Sequence, residues 1–166
     1  MSEAQHLADS LTSYFNSDKL IAFAPFSVAT NDLTAAQAAH VPAERFNSVW
    51  AIVNHVWFWN EVPLRMLRGE AVEPKDLGAE DWSGWPSIGD PADDAAWQTA
   101  RQRCLEANAA FAAFVAEMDE AALEREVAPG WGPAHGIIQG MIAHNSYHTN
   151  EVISVRHMQG LWLERT

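Results

Sequence analysis

Cysteine and basic residues are scarce in this chain of 166 residues. Its single cysteine, Cys104, excludes a disulfide framework and a zinc site of the CxxC type. Lys and Arg total 10 against 22 Asp and Glu, so the net charge is −12. The sequence contains no run of basic residues and no basic amphipathic stripe. Because such a chain repels phosphate groups, we expect no nucleic-acid partner and no membrane partner.

Long apolar runs are also missing. No segment approaches the ~18 consecutive apolar residues of a membrane span. The stretch MSEAQHLADSL has no charged region followed by an apolar run, so it does not resemble a signal peptide. A cytoplasmic location is therefore the expectation. Repeats, low-complexity tracts and strand-like alternation are absent too, which leaves helical periodicity as the main structural signal.

Apolar residues at helical spacing dominate the chain. Hydrophobic residues make up 48% of it, enough for one core in a single domain over residues 1–166. The periodicity predicts long helices at about residues 3–22, 44–69, 91–118 and 133–160. Pro133 is expected at the first position of the last helix and Gly160 at its end. Four long helices with long connections predict an all-α fold, a four-helix bundle.

The connections carry signals of their own. Thr34 is predicted to cap a short helical piece, and Asp90 with Pro91 is predicted to begin the third long helix. Residues 70–92 form the longest break and contain Trp82 and Trp85. Because large indoles need a surface to pack against, we expect this segment to be an ordered flap over one end of the domain.

Two histidines one turn apart are the clearest chemical signal. His144 and His148, in HNSYHTNEV, lie about 40° apart on a helical wheel and share their stripe with Met141 and Val152. A pair at this spacing can hold one divalent metal ion. His55, among apolar residues of the second long helix, is the candidate third ligand. Three imidazoles leave an open position, as in catalytic rather than structural metal sites.

Glu151 shares the stripe of the histidine pair. Four roles stay open for it: fourth metal ligand, acceptor for an imidazole N–H, general base, or partner in an inter-helix ion pair. The remaining four histidines are predicted to be surface or rim residues: His6, His40, His135 and His157.

The same residues admit other accounts of the histidines. A packing account treats them as hydrogen-bonded core residues and predicts that His144→Leu is neutral or stabilising. A di-iron bundle needs two inward Glu-x-x-His units, whereas the sequence offers that spacing only from Glu3 to His6. No feature of the sequence indicates a haem-binding site, although two histidines in a bundle could hold one. Cys104 falls in the apolar stripe of the third helix and is predicted to be a buried, inert thiol.

Three stretches together resemble the DinB superfamily, close to the YfiT-like metal-dependent hydrolases and thiol transferases. NDLTAAQAAHVPAERFNSVWAIVNHVWFWNE is similar to the family's second-helix segment, which has one ligand histidine, here His55. DPADDAAWQTARQRC is similar to the start of its third helix. HNSYHTNEVISVRHMQGLW is similar to its HxxxH helix, here with His144 and His148. The resemblance covers most of residues 30–162.

This resemblance implies a four-helix bundle that binds nickel, zinc or another divalent ion, often in a homodimer. Some relatives transfer low-molecular-weight thiols such as bacillithiol, mycothiol or glutathione, and others isomerise a thiol adduct. The family's name refers to DNA damage induction and implies no DNA binding. One departure is Glu151, where relatives commonly have glutamine, so the charge around the metal would differ here.

Two functions remain open. In the first, His55, His144 and His148 hold a divalent transition metal, and the chain is an enzyme that acts on a small-molecule substrate by thiol transfer or hydrolysis. In the second, the metal only ties two helices together in a non-catalytic bundle. Trp59, one turn after His55, and the flap over residues 70–92 are candidates to shape the pocket in the first case. An ordinary packing role stays open for both and is the favoured one for Trp59.

Overall fold

A computed structural model describes residues 1–18 and 23–163. These residues form seven α-helices and one 3-10 turn, and no strand lies among them. The helices are α1 (Glu3–Phe15), α2 (Phe26–Ala29), α3 (Ala35–Ala39), α4 (Val49–Leu67), α5 (Asp94–Ala116), α6 (Glu120–Glu124) and α7 (Ala134–Met158), and the 3-10 turn is Pro74–Leu77. Helices α1, α4, α5 and α7 are the long ones, so the predicted four-helix bundle is confirmed.

The four long helices pack around a common core. Helix α5 contacts α4 and α1, while α7 contacts the same two helices from the other side. Helices α4 and α7, which carry the three candidate ligands, are therefore neighbours. Of the helices that the structure describes, none combines the length and apolarity needed to cross a membrane.

Aromatic side chains fill one half of the core. The indoles of Trp50 on α4 and Trp97 on α5 meet edge to face, with ring centroids 5.6 Å apart. The buried indole N–H of Trp97 donates to the backbone carbonyl of Leu33 at 2.8 Å, so its polar atom is paired. A second cluster, built on Phe111 and mostly aliphatic residues of α1, α4, α5 and α7, fills the other half. Together they fix α4 against its neighbours.

The helix starts differ from the predicted ones where a capping residue lies further along the chain. Helix α4 begins after Ser48, whose hydroxyl accepts from the N–H of Ala51, and Arg45 has a φ of +66° that excludes it from a helix. Helix α5 begins after Asp93, which caps the N–H of Ala96. The predicted cap at Asp90 is wrong because that carboxylate accepts from Ala92 within a preceding turn.

The ends of α1 and α7 differ from the prediction to unequal extents. Helix α1 ends at Phe15, earlier than expected, and residues 19–22 of the predicted helix lie outside the described residues. Pro133 is the N-cap of α7 rather than its first residue, and Gly160 follows its end with a φ of +75°. Thr34 caps α3 through the N–H of Gln37, as predicted.

The connector between α4 and α5 packs against the bundle. Leu77 and Ala79 are buried, and the side-chain amide of Asn54 on α4 donates to the carbonyl of Ser87 at 2.9 Å. The ordered flap predicted for residues 70–92 is therefore confirmed. It covers the part of α4 that carries His55.

Candidate metal centre

Three histidine side chains from α4 and α7 meet inside the bundle. His55 on α4 and His148 on α7 are 7% and 6% exposed, and His144 is partly buried between them. The rings of His144 and His148 have centroids 4.5 Å apart, and the ring of His55 lies 4.7 Å from that of His148. One ring nitrogen from each residue lies within 4.8 Å of the others. The structure thus brings together the three residues that the sequence singled out.

The Nδ1 atom of each ring has its own hydrogen-bond acceptor. His55 donates to the backbone carbonyl of Gly84 at 2.8 Å, and His148 donates to Oε2 of Glu151 at 2.7 Å. His144 faces Oδ1 of Asn145 at 3.3 Å. An imidazole whose Nδ1 carries the proton keeps a lone pair on Nε2, the form in which it binds metal.

Buried amides set the direction of the bond from His144. Asn108 donates to the carbonyl of Leu11, so its own Oδ1 must serve as an acceptor. That oxygen receives the NH₂ group of Asn145 at 3.1 Å, and the same NH₂ group donates to Oδ1 of Asn60. Oδ1 of Asn145 therefore points towards His144 and can only accept. This hydrogen-bond network of three buried asparagines therefore places the proton of His144 on Nδ1.

The spacing of the donor atoms fits one metal ion. Nε2 of His55 and Nε2 of His144 lie 3.3 Å apart. Two nitrogens bound at about 2.0–2.1 Å to one tetrahedral zinc ion lie about 3.3–3.4 Å apart. With both Nδ1 atoms protonated, the two Nε2 lone pairs face each other, an arrangement that a shared cation stabilises. The donor set of three neutral imidazoles suits zinc, nickel and similar ions.

Burial keeps two of the three imidazoles neutral. It lowers the pKa of His55 from 6.5 to about 4, and the carbonyl of Gly84 opposes this only in part. Burial, with the nearby His148, lowers the pKa of His144 to about 4 as well. Both rings thus keep their lone pairs at neutral pH without a metal ion to displace their protons.

The carboxylate of Glu151 is hydrogen-bonded to the ring of one of the three histidines. Its Oε2 accepts from Nδ1 of His148, three residues earlier on α7, and its Oε1 is 3.4 Å from the side-chain amide of Asn47. The bond from His148 holds the pKa of this carboxyl below its usual value. Among the roles left open by the sequence, this position matches an acceptor for an imidazole N–H, and among the described residues Glu151 forms no ion pair with a residue of another helix.

The flap contributes two contacts that sequence reasoning missed. The carbonyl of Gly84 orients His55, and the indole of Trp85 stacks on the His55 ring with centroids 3.9 Å apart. A backbone carbonyl has no sequence signature, but the expectation that Trp85 must pack somewhere could have pointed to this contact. The flap thus clamps one face of the His55 ring.

Trp59 borders the site from α4. Its indole lies 6.5 Å from the ring of His55 and 6.4 Å from that of His144. It also lines a groove between α4 and α7 with a volume of about 510 Å³ that reaches the three histidines. The expectation that Trp59 shapes the pocket agrees with this position.

The other four histidines lie away from the cluster. His6 and His40 are exposed, His135 lies 3.3 Å from the carboxylate of Glu3, and the ring of His157 stacks on Trp162. They are surface or rim residues, as predicted.

Cys104 is fully buried in α5, and burial raises the pKa of its thiol. The prediction that this thiol is buried is confirmed, and its raised pKa disfavours the reactive thiolate.

Comparison with known proteins agrees with this architecture. The model of the DinB superfamily matches residues 24–152, a range that holds His55, His144, His148 and the flap between α4 and α5. No curated protein matches the chain, and no solved structure matches it either. Because the matched range covers most of its length, the chain belongs to the DinB superfamily.

Proposed function

We propose that the protein is a metal-dependent enzyme that acts on a small-molecule substrate by thiol transfer or hydrolysis. In this proposal His55, His144 and His148 hold one divalent transition-metal ion, nickel or zinc. The observation that carries the proposal is the convergence of three imidazoles whose Nδ1 atoms each have a separate acceptor. In metal-binding histidines, the ring nitrogen that does not bind the metal regularly donates a hydrogen bond to such an acceptor.

The chain's own groups have defined tasks in this proposal. The carbonyl of Gly84, the amide of Asn145 and the carboxylate of Glu151 hold the three rings and keep their Nε2 atoms unprotonated. When bound, the ion supplies Lewis acidity that lowers the pKa of water or a thiol at its remaining position. The carboxylate of Glu151 also places a negative charge next to Nδ1 of His148, as carboxylates beside metal-binding histidines commonly do.

An enzymatic role is favoured over a purely structural one by the location of Glu151. A closed structural site needs a fourth protein ligand, and Glu151 is the nearest acidic residue on the histidine stripe of α7. Its Oε2 is instead bonded to Nδ1 of His148, so this carboxylate oxygen is already engaged. The groove beside Trp59 then gives a substrate access to the cluster.

The test is a turnover screen on nickel-loaded and zinc-loaded protein. Thiols are offered with electrophilic acceptors, and ester and amide substrates are offered alone. Wild type is compared with His148→Ala and with Glu151→Gln, which keeps an acceptor for Nδ1 but removes the charge. We expect no turnover from His148→Ala and a loss of about 10- to 100-fold in metal affinity for Glu151→Gln.

Glu61→Gln is the matched control. Glu61 pairs with Arg65 on α4 at 3.0 Å and makes no contact with the histidines, so wild-type behaviour is expected. If metal-loaded wild type shows no turnover above His148→Ala with any substrate, the enzyme proposal fails and the non-catalytic bundle takes its place.

A further inference from the structure

The groove between α4 and α7 runs away from the histidine cluster along one line of α7. Gly136, Gly140, His144 and His148 follow one another at intervals of four residues and all line it. Residues at this spacing lie on one face of a helix, one above the other. The two glycines thus form the floor of the groove, and the two histidines form its inner end.

No packing constraint in the described residues explains the two glycines. A Cβ atom on Gly140 would meet nothing within 4 Å, and one on Gly136 would meet only Pro133 Cγ at 4.0 Å. Neither glycine has a positive φ. Glycine inside a helix is less favourable than alanine. Because the two glycines have no side chains, they leave space in the groove.

The ring of a largely buried histidine lines the inner end of this space. His148 is 6% exposed, and it lines the groove. Its Nδ1 is bonded to Glu151, whereas its Nε2 forms no hydrogen bond within the part of the chain that the structure describes. In the proposed function this nitrogen holds the metal ion, so a polar head group that reaches the inner end of the groove meets the metal there, while the rest of the ligand lies along apolar walls.

The walls of the groove carry no charge. Apart from the three histidines, its lining is apolar, aromatic or glycine, without any Lys, Arg, Asp or Glu: Trp59, Pro63, Trp131, Gly136, Ile137, Gly140, Met141 and Tyr147. A ligand carboxylate would find no cationic partner among these residues, and the net charge of −12 repels anions at longer range. A ligand cation would find no carboxylate on the walls either.

We propose that the groove selects an uncharged substrate whose apolar or aromatic body lies over Gly136 and Gly140 while its coordinating head group reaches the histidine cluster. This inference rests on the proposed function, since the head group binds the metal, and it narrows the substrate class. Hydrophilic anionic thiols are excluded as preferred substrates. An apolar body gains from burial against Trp59 and Met141, whereas a charged body loses its hydration without gaining a partner.

Three thiols with the same head group test the selection. Zinc-loaded protein is titrated with 2-phenylethanethiol, which is neutral and aromatic, with 3-mercaptopropionate, which is anionic, and with cysteamine, which is cationic. Binding is followed by calorimetry. We expect 2-phenylethanethiol to bind about 10-fold or more tightly than either charged thiol, given the typical gain from burying one aromatic ring. Equal or tighter binding of a charged thiol overturns the inference.

Variants of the groove floor supply an independent readout. Gly140→Leu fills the groove, and Ala143→Leu places the same side chain at an exposed position of α7 outside it. We expect Gly140→Leu to abolish the preference for 2-phenylethanethiol while Ala143→Leu retains it. Gly140→Ala should raise the melting temperature by about 2–4 °C and still weaken binding of the aromatic thiol. A stabilised Gly140→Ala variant with unchanged binding contradicts a role of the groove in recognition.

The outcomes separate this inference from the proposed function. If the protein binds no metal, 2-phenylethanethiol is titrated into metal-free protein. Binding that Gly140→Leu removes then supports the groove while the metal proposal fails. If zinc binds but the thiols show no order of preference, the metal proposal stands and the inference about substrate class is wrong.

Discussion

Replacing Gly84 by alanine tests whether the flap holds the ring of His55 in place. Gly84 has a φ of +71°, and a Cβ atom added to it would lie 2.6 Å from Cδ1 of Phe58 and 2.7 Å from Nε1 of Trp59. Both rings belong to α4, and Phe58 is fully buried. The backbone at Gly84 must therefore move away from α4, and its carbonyl, 2.8 Å from Nδ1 of His55, moves with it.

The expected loss of stability has two parts. A left-handed φ costs alanine about 1–2 kcal/mol relative to glycine, and the overlap with two ring atoms costs about 1–3 kcal/mol more. Gly84→Ala should therefore lower the free energy of unfolding by about 2–5 kcal/mol. Gly78 is the matched control: its φ is +73° and the nearest atom to an added Cβ is Cβ of Pro86 at 3.9 Å. Gly78→Ala should cost about 1–2 kcal/mol.

Two assays distinguish the variants. Urea unfolding followed by tryptophan fluorescence gives the free energies, and competition with a zinc chelator gives the metal affinities. We expect Gly84→Ala to bind zinc about 10- to 100-fold more weakly than wild type, because His55 loses its acceptor, and Gly78→Ala to bind it normally. Equal losses of stability in the two variants, or unchanged zinc affinity in Gly84→Ala, would refute the assigned role of the flap.

Three further predictions address the interior of the bundle. Asn145→Ala removes the NH₂ group that donates to the buried Oδ1 atoms of Asn60 and Asn108, so we expect a loss of about 2–4 kcal/mol in denaturant unfolding. An Asn145→Ala variant of unchanged stability would contradict this hydrogen-bond network. Native Cys104 should resist thiol reagents that label the unfolded chain, since its thiol is buried and its pKa is raised; equal labelling of both states would show that it is accessible. Metal-free protein should lose stability as pH falls from 6.5 towards 4. Burial holds the pKa values of His55 and His144 at about 4 in the folded protein, so the unfolded chain takes up protons at a higher pH than the folded chain does. Melting temperatures that stay constant across that interval would contradict it.

The bundle and its three histidines could be predicted because their signals are periodic. Helical spacing of apolar residues identifies the long helices, and His144 and His148 share a stripe with Met141 and Val152 for the same reason. A histidine among the apolar residues of α4 requires a partner, which is how His55 was found. These inferences depend on residues close together in sequence, and the family match over residues 24–152 agrees with them.

The hydrogen-bond acceptors that hold the histidine rings could not be predicted in the same way. The acceptor for His55 is a backbone carbonyl 29 residues away, and any residue could have provided one. The acceptor for His144 depends on amides from three helices, Asn60, Asn108 and Asn145, whose pairing follows from packing rather than spacing. Helix starts at positions 44 and 91 were wrong because nearby Ser48 and Asp93 are the residues whose side chains cap the backbone.

Metal content tests the central claim most directly. Tag-free wild-type protein and His148→Ala are purified in parallel, incubated with nickel or zinc, desalted and analysed by mass spectrometry for bound metal. The account predicts about one equivalent of transition metal per chain in the wild type and a large loss in the variant. Little metal in either protein would contradict it and would mean that His55, His144 and His148 are hydrogen-bonded core residues.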